Sequence, residues 1–483
     1  MSTDPTRAAP PPPPPAAASA HAAIPFDALE VGRTASLTRL CVADDLYVFA
    51  HASGNLNPVH MPGEDHDGDG TPDEATAPSM WVASLISAVL GNLLPGPGTL
   101  YRSQTLQWSG TAHAGDELTA RVTLVEKGEN RRARFETVVM RGRETIVSGE
   151  AEVIAPATAF TFTPDDVPGL LVRRHVHFDR LLERAAPLEP IPTAVVAPEE
   201  PNALGGALLA ARHTLIRPIL VGDAARIRAV AGEIDASVED HEIVDEPVHD
   251  LAAARAVALV HEGRARAVMK GHLHTDELLR HVVKRDGGLR TGRRLSHVFV
   301  MDVPGRDGLL MITDAAINIV PDLEAKRDIT QNAIDLARAL GIEVPKVGVL
   351  SAVETVNPKI PSTLDAAILS KMSERGQIRG GVVDGPLAMD NAVDLEAARS
   401  KGITSTVAGR ADVLVAPNME SGNMIAKELT FVAHAEAGGL CVGASVPVIL
   451  TSRADDDDAR LASCAVAALY DDWLRHGGAE DGH

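Results

Sequence analysis

From residue 193 onward, short apolar segments alternate with segments of helical spacing, and this alternation constrains the fold more than any other feature. Residues 321–340 are typical of the helical segments, because apolar side chains recur there every three or four positions. Strands that alternate with helices predict a mainly parallel sheet with helices on both faces. The predicted strands lie in TAVVAP, RPILVGD, RAVMKG, SHVFVMDV, LLMITDA, PKVGVLSA, GGVVDGPL, ADVLVAPN and VPVILTS.

Polar residues that directly follow these strands are candidate ligand contacts, because ligands of parallel sheets bind beyond the carboxyl ends of strands. Cations, hydroxyls and glycines recur at these positions, and this combination suits an anionic, phosphate-bearing substrate. The sequence contains neither GxxxxGK[ST] nor GxGxxG, so the P-loop and the dinucleotide fingerprint are excluded. The candidate positions are Lys270–Gly271, Asp314, Ser351, Asp384–Gly385–Pro386, Pro417–Asn418 and Ser452–Arg453.

Composition narrows the class of protein. The 483 residues include 45 Lys+Arg against 66 Asp+Glu, a formal net charge of −21, which argues against binding to nucleic acid or to anionic lipid. No run of apolar residues is long enough for a membrane span, and no signal peptide is evident. Three widely spaced cysteines favour reduced, buried thiols, and we therefore expect a cytoplasmic protein.

The chain divides into two units. Residues 24–158 place a buried helix over 78–94 before long segments of period-two alternation, which predicts an α+β unit whose antiparallel sheet wraps one helix. The α/β unit spans 193–475. A Pro/Ala-rich tail over 1–23, a linker over 159–192 and a short tail over 476–483 complete the predicted organisation.

The second unit carries long specific stretches, among them VMKGHLHTDELLR, GLRTGRRLSHVFVMDVP, PKVGVLSAVETVNPKIPSTLDAA, GGVVDGPLAMDNA and GASVPVILTSRADDDDAR. In these stretches the chain resembles the phosphate acyltransferase family of phosphotransacetylases and phosphotransbutyrylases. Its sequence looks more like the butyryl branch than the acetyl branch. The resemblance implies two subdomains around a cleft, of the isocitrate/isopropylmalate dehydrogenase kind, and a homodimer or higher homo-oligomer. It implies reversible transfer of a short acyl group between coenzyme A and inorganic phosphate, both substrates, with no cofactor and no metal.

The resemblance also implies roles for individual residues. Arg453 matches the arginine that contacts the acyl phosphate, and Ser452 matches the serine near the sulfur. Ala459 occupies the position where the acetyl branch has an aspartate for the thiol proton, so Asp458 is the candidate there; a solvated acidic helix N-terminus is the alternative. The candidate contacts for coenzyme A or phosphate are Lys270, Gly271, Thr275, Arg290, Ser296, Asp384, Gly385, Pro386, Gly422, Asn423 and Gly443.

The first unit carries FAHASGNLNPVHM, SLISAVLGNLLPGPGTLY and GDELTARVTLVEK, and in them it resembles the MaoC-like (R)-specific enoyl-CoA hydratases, which have a hot-dog fold. The active motif of that family, SGDxNPxH, retains its histidine as His60 but has Asn55 at the position of the aspartate. A neutral amide does not accept a proton from water, so we expect acyl-CoA binding with reduced or absent hydration. A fully bifunctional hydratase and acyltransferase, and a non-catalytic acyl-CoA-binding protein, are the alternatives.

An acidic loop follows His60. Asp65, Asp67, Asp69 and Asp73 have the spacing of an EF-hand calcium loop, but Thr76 stands where that loop has a bidentate glutamate. We therefore favour a solvated surface insertion over 64–76 and predict no metal site.

Overall fold

The computed structural model describes residues 21–62, 75–162, 176–450 and 457–476. The chain divides into two compact units, Met1–Val172 and Arg173–His483. The first unit contains a six-stranded antiparallel sheet of order β2-β5-β6-β7-β3, in which β4 also pairs with β7. Its strands are β1 His21–Ala22, β2 Thr34–Leu40, β3 Leu100–Gln104, β4 Gln107–Trp108, β5 Glu117–Lys127, β6 Arg132–Arg141, β7 Glu144–Ile154 and β8 Thr161–Phe162.

One helix fills the concave core of this unit. Helix α1 spans Ala43–Ser53 and helix α2 spans Ser79–Asn92. Leu85 and Val89 of α2 are buried in one cluster with Leu124 and Phe135, which lie on the inward faces of β5 and β6. The alternation along these strands therefore buries one face of the sheet against the helix, as the period-two pattern predicts.

The first unit begins earlier and ends later than the sequence predicts. Strand β1 falls in the predicted tail and strand β8 falls in the predicted linker, yet the two strands pair with each other. Ala23 is buried and its N–H donates to the Phe160 carbonyl at 2.8 Å, which fixes this pairing. The acidic residues at 65–73 and the tail over 1–20 lie outside the described residues.

The second unit is built on one continuous sheet of eleven strands, in the order β11-β10-β9-β12-β19-β18-β13-β14-β17-β15-β16. Its strands are β9 Ile191–Val196, β10 Ile216–Gly222, β11 Glu242–Asp245, β12 Ala267–Lys270, β13 Ser296–Asp302, β14 Leu310–Thr313, β15 Lys346–Leu350, β16 Val382–Leu387, β17 Val413–Val415, β18 Glu436–Val442 and β19 Val448–Ile449. Its helices are α3 Val176–Ala185, α4 Pro201–Arg212, α5 Ala224–Glu233, α6 His249–His261, α7 Thr275–Val282, α8 Leu323–Ala339, α9 Pro361–Glu374, α10 Met389–Val393, α11 Leu395–Ser400, α12 Met419–Phe431 and α13 Asp457–His476.

The centre of this sheet is antiparallel, which the expectation of mainly parallel sheets in two subdomains does not include. Strand β13 runs antiparallel to β14 and β18, and β18 runs antiparallel to β19. The connections over 303–309 and 443–447 are too short for a crossover helix, so each returns the chain in the opposite direction. Strands β9–β12 and β19 therefore point one way, and β14–β17 point the other way. The likeness to the dehydrogenases stays a prediction.

The predicted linker contains helix α3. Phe178, Leu181 and Ala185 recur at helical spacing and are buried in the core that also includes the apolar face of α13. The Asp302 carboxylate at the end of β13 accepts hydrogen bonds from the N–H groups of His177 (2.7 Å) and Phe178 (3.0 Å). This segment is therefore part of the second unit, because it both fills the core and is capped by the sheet.

The three cysteines are buried free thiols, as the sequence predicts. Burial raises the pKa of Cys41 and of Cys464 to about 12, so neither thiol ionises near neutral pH. Within the described ranges, none of the helices combines the length and apolar character that crossing a bilayer requires.

Replacing Phe178 by alanine tests the assignment of α3 to the core. We expect Phe178→Ala to lower the free energy of unfolding of the second unit by about 3–5 kcal/mol, because it leaves a cavity. Arg180→Ala, on the exposed face of the same helix, should change it by less than about 0.5 kcal/mol. Urea unfolding of both variants measures this difference, and equal stability of the two would contradict the assignment.

Candidate functional site

Lys270 ends β12 at the edge of the sheet where β9–β12 and β19 have their carboxyl ends. It lies opposite Val196 of β9, and Met269 lies opposite Ile449 of β19. The Lys270 side chain is buried, and its Nζ donates to the Gly271 carbonyl at 3.3 Å. The chain that follows each of these strands therefore emerges at one edge, which we call the β12 edge. Ser452 and Arg453 follow β19 but lie outside the described residues.

Gly271 lets two strand ends approach closely. A Cβ there would lie 2.4 Å from the Val196 carbonyl oxygen and 2.5 Å from that of Ala197. Its N–H donates to the Val196 carbonyl at 2.8 Å. The missing side chain is therefore required by backbone packing, whatever ligand lies nearby. Thr275, the first residue of α7, is half-buried beside the N-cap His274.

Two histidine–glutamate pairs that were not predicted from the sequence lie at the β12 edge. His272 Nδ1 lies 2.6 Å from Glu200 Oε2, and His249 Nε2 lies 3.0 Å from Glu199 Oε2. The two imidazole rings meet edge to face, with centroids 6.5 Å apart. The sequence does contain a signal for these glutamates. Glu199 and Glu200 come soon after the end of β9, just as Gly271 comes after the end of β12. No described group of three or more such side chains is arranged to hold a metal ion.

A second group of predicted residues lines a cavity of about 440 Å³, which we call the arginine pocket. Arg290, Arg293 and Arg294 line it together with Asp328 and apolar side chains such as Ile317. Arg293 is neutralised by Asp335, outside the lining, and Asp328 pairs with Arg327. No ion pair in the described part of the chain involves Arg290 or Arg294. The pocket therefore offers two guanidinium groups to an anion, next to an apolar wall.

Gly443 and Asn332 hold the loop that carries these arginines. Gly443 has φ +89°, and a Cβ there would lie 2.7 Å from both the Arg294 carbonyl oxygen and the Asn332 Nδ2 atom. Asn332 Nδ2 donates to the Arg294 carbonyl at 2.8 Å and to the Ser296 hydroxyl at 3.0 Å. Ser296 is fully buried and is not part of the pocket surface. Its hydroxyl supports the loop from beneath, which differs from the expected ligand contact.

Asp314 organises a turn at the end of β14, on the same edge as the arginine pocket. Its carboxylate accepts hydrogen bonds from the N–H groups of Ala316, Ile317 and Asn318 at 3.0–3.1 Å. Asn318 Nδ2 donates to the same carboxylate at 2.5 Å and to the Leu295 carbonyl at 2.9 Å, and the second bond joins the turn to the pocket. Four backbone and side-chain donors thus fix the carboxylate, so Asp314 acts as a structural anchor.

Gly422 and Asn423 of α12 contact this turn. A Cβ at Gly422 would lie 2.6 Å from the Asp314 carbonyl oxygen, and Asn423 Nδ2 donates to the Ala315 carbonyl at 3.1 Å. Beneath the turn, burial lowers the pKa of His297 to about 4, against the opposing effect of the Asp314 carboxylate. His297 is therefore neutral at pH 7 and adds no charge to this region.

Three further candidates lie apart from both groups. Asp384, Gly385 and Pro386 belong to β16, the last strand of the sheet, where Asp384 Oδ1 accepts the Gly385 N–H at 2.8 Å. A Cβ at Gly385 would lie 2.8 Å from the Val349 carbonyl oxygen, so strand packing accounts for this glycine. Asp458 is exposed in the first turn of α13.

The hydratase-like motif of the first unit lies on the surface after α1. Helix α1 ends at Gly54, which has φ +73°, and Asn55 Oδ1 accepts the Asn57 N–H at 3.3 Å. His60 Nδ1 lies 2.6 Å from the Thr76 carbonyl oxygen, which leaves Nε2 as the nitrogen that can face a ligand. The structure therefore orients the imidazole but places no carboxylate in the motif beside it.

Two glycines of the arginine pocket form a matched test of its geometry. Gly443→Ala should destabilise the second unit by about 1–3 kcal/mol, because the left-handed backbone and the 2.7 Å contacts both oppose a Cβ. Gly292→Ala, in the same pocket, has open space around its Cβ and should be neutral. Urea unfolding compares them, and a neutral Gly443→Ala would refute the proposed support of the loop.

Comparison with known proteins gives the family. Residues 238–468 match the model of the phosphate acetyl/butaryl transferase family. A phosphate acetyltransferase of Rhizobium meliloti is 61% identical over 293 residues, which cover 61% of this chain and 93% of that protein. A phosphate butyryltransferase of Clostridium acetobutylicum is 47% identical over 292 residues, covering 60% and 97%.

A solved structure has the same fold in this region. The branched-chain phosphotransacylase from Enterococcus faecalis V583 is 31% identical and aligns with a TM-score of 0.51, covering 58% of this chain and 98% of that chain. The resemblance carried by stretches such as VMKGHLHTDELLR is thereby confirmed across nearly the whole second unit. Through that unit, the chain belongs to the phosphate acetyl/butyryltransferase family.

Proposed function

We propose that the second unit transfers a short acyl group reversibly between coenzyme A and inorganic phosphate. Membership of the phosphate acetyl/butyryltransferase family, at 61% and 47% identity to an acetyl and a butyryl enzyme, is the observation that carries this proposal. The chain is accordingly an acyltransferase. The acyl length is left to experiment, because the two branches are both represented among the relatives.

The reaction sets three physical demands. A phosphate oxygen attacks the thioester carbonyl carbon, the C–S bond breaks, and the thiolate leaves; the reverse direction returns acyl-CoA and phosphate. The enzyme must neutralise phosphate charge, stabilise the tetrahedral oxyanion and handle the thiol proton. Cations at two edges of the sheet supply the positive charge that neutralises phosphate groups.

We assign the acyl-transfer step to the β12 edge. Lys270 is a buried cation there, and β19 leads the chain from this edge into the segment with Ser452 and Arg453. In the proposal Arg453 contacts the acyl phosphate with its planar guanidinium, and Ser452 hydrogen-bonds the sulfur. Asp458 at the start of α13 is the candidate that the resemblance suggests for the thiol proton.

We assign the arginine pocket to phosphate groups. Arg290 and Arg294 have no ion-pair partner among the described residues, and a guanidinium pair matches phosphate oxygens in geometry and charge. The volume of about 440 Å³ falls in the range of small-molecule sites, and a phosphate-bearing part of coenzyme A fits this pocket, since the attacking phosphate must lie at the β12 edge where the acyl group is transferred. The proposal needs no metal or further cofactor, and a cytoplasmic homodimer is its expected form.

Release of coenzyme A from acetyl-, propionyl- and butyryl-CoA, with and without phosphate, tests the transferase. We expect phosphate-dependent release, reduced about 100-fold or more in Arg453→Ala, because a charge that stabilises the transition state is lost. Arg290→Gln and Arg294→Gln should each raise the KM for the acyl-CoA about tenfold, because each removes a cation that binds its phosphate groups. Arg212→Gln, an exposed arginine at the end of α4, is the control. No phosphate-dependent release from any of the three thioesters would refute the proposal.

We further propose that the first unit binds acyl-CoA with reduced or absent hydration. Asn55 offers an amide where hydration needs a base, and its Oδ1 already accepts a backbone N–H. His60 keeps an available Nε2, and this observation favours slow hydration over a purely structural motif. Full bifunctionality and a non-catalytic binding unit are the rival outcomes.

Hydration of crotonyl-CoA separates these outcomes. We expect the wild type to be slow, Asn55→Asp to gain about 100-fold as the carboxylate restores a base, and His60→Ala to lose what activity there is. His51→Ala, an exposed histidine of α1, serves as the control. Fast wild-type hydration would establish bifunctionality, and no gain in Asn55→Asp would contradict the assignment of the defect to Asn55.

A further inference from the structure

We propose that His272, oriented by Glu200, is the general base that takes the proton from the thiol of coenzyme A. The inference rests on the proposed acyl transfer and adds a residue to which the resemblance assigns no role. It starts from a placement: His272 follows β12 by two residues, and Glu200 follows β9, the parallel neighbour of β12. Both side chains therefore lie at the β12 edge, together with Lys270.

The hydrogen bond to Glu200 fixes which nitrogen is basic. His272 Nδ1 lies 2.6 Å from Glu200 Oε2, and a carboxylate only accepts, so Nδ1 carries the proton of the neutral ring. Nε2 then holds a free lone pair. No described protein group forms a hydrogen bond with Nε2, and the side chain is 41% exposed, so this nitrogen can reach a substrate. A carboxylate that holds an imidazole in one tautomer is the arrangement that general-base histidines use.

The neighbouring histidine is bound differently. His249 uses Nε2 for its bond to Glu199, whose other oxygen accepts the Asp223 N–H at 2.9 Å. That second contact commits the Glu199 carboxylate to the backbone after β10. Of the two histidines, only His272 follows β12, which pairs with β19, the strand that leads to Ser452 and Arg453.

The charged and titratable groups near His272 belong to several elements. Glu200 and Glu199 follow β9, and His249 begins α6. Lys270 and His274 lie on either side of it along its own segment. The carboxylate of Glu200 stabilises the imidazolium that proton transfer creates, while the ammonium of Lys270 attracts the developing thiolate.

The step balances in atoms and charge. When coenzyme A attacks an acyl phosphate, Nε2 of His272 takes the S–H proton as the sulfur bonds to the acyl carbon. The C–O bond to phosphate breaks, phosphate leaves, and the imidazolium passes its proton to the departing phosphate. In the reverse direction the neutral imidazole takes that proton from attacking phosphate and returns it to the thiolate.

Variants of His272 test this assignment. For acyl phosphate plus coenzyme A, we expect His272→Gln to lower kcat about 100-fold at pH 7, with KM for coenzyme A changed less than about threefold. The deficit should shrink as pH rises toward about 8.5, near the ordinary thiol pKa, because the thiolate then forms without a base. Added imidazole should restore part of the activity of His272→Ala. Glu200→Gln should give a smaller loss of kcat, since the base is retained and loses only its orientation and the charge that stabilises the imidazolium.

The control is His213→Gln, an exposed histidine after the far end of α4, which should retain wild-type kinetics. An active wild type with a His272→Gln kcat within about threefold, or a deficit that neither pH nor imidazole changes, overturns the assignment and leaves the transferase intact. A large, pH-sensitive loss in Asp458→Asn without one in His272→Gln also overturns it, in favour of Asp458. A wild type without phosphate-dependent activity overturns the transferase and this inference with it.

Discussion

The antiparallel pairing of β13 with β18 is the constraint on which the second unit depends. Seven residue pairs, from Ser296 opposite Val442 to Asp302 opposite Glu436, join the two halves of the sheet through buried backbone hydrogen bonds. This pair lies at the centre of three successive antiparallel pairings, β19–β18, β18–β13 and β13–β14, so the carboxyl ends of the two parallel halves lie at different edges. The β12 edge and the arginine pocket are therefore separate places on one sheet.

Each place is rigid for a reason that is visible in its backbone. At the β12 edge, Gly271 allows β12 to pack against the end of β9 with carbonyl oxygens only 2.4–2.5 Å from where a Cβ would be. At the arginine pocket, Asn332 ties the Arg294 carbonyl to buried Ser296. Several residues that were predicted to bind substrate are thus also packing residues. The two roles are compatible, because a preorganised loop positions its charges without further ordering on binding.

Much of the architecture could be predicted from the sequence, and the failures have physical causes. Apolar strands and helical spacing located α8 and nine of the eleven strands of the second unit, because burial on both faces leaves a strong local signal. Strands β11 and β18 were not predicted. The reversal at β13 could not be predicted in the same way, since strand direction depends on connections, and 303–309 resembles any loop. Helix α3 was missed because the prolines on either side of it and its own charged residues masked a short apolar stripe of Phe178, Leu181 and Ala185.

The site was predictable in composition but not in partnership. Arg290 and Gly443 are far apart in the sequence but line one pocket, whereas the predicted contact Ser296 is buried beneath the surface. Glu200 and His272 are 72 positions apart, so no sequence spacing suggests their hydrogen bond. Strand β19 runs between the two edges of the sheet. It begins just after Gly443 at one edge and ends just before Leu450 at the other. This short strand is thus a direct covalent connection between the arginine pocket and the β12 edge. Its length limits how far apart the cations of the two places can lie, and so the length of one molecule that could contact both.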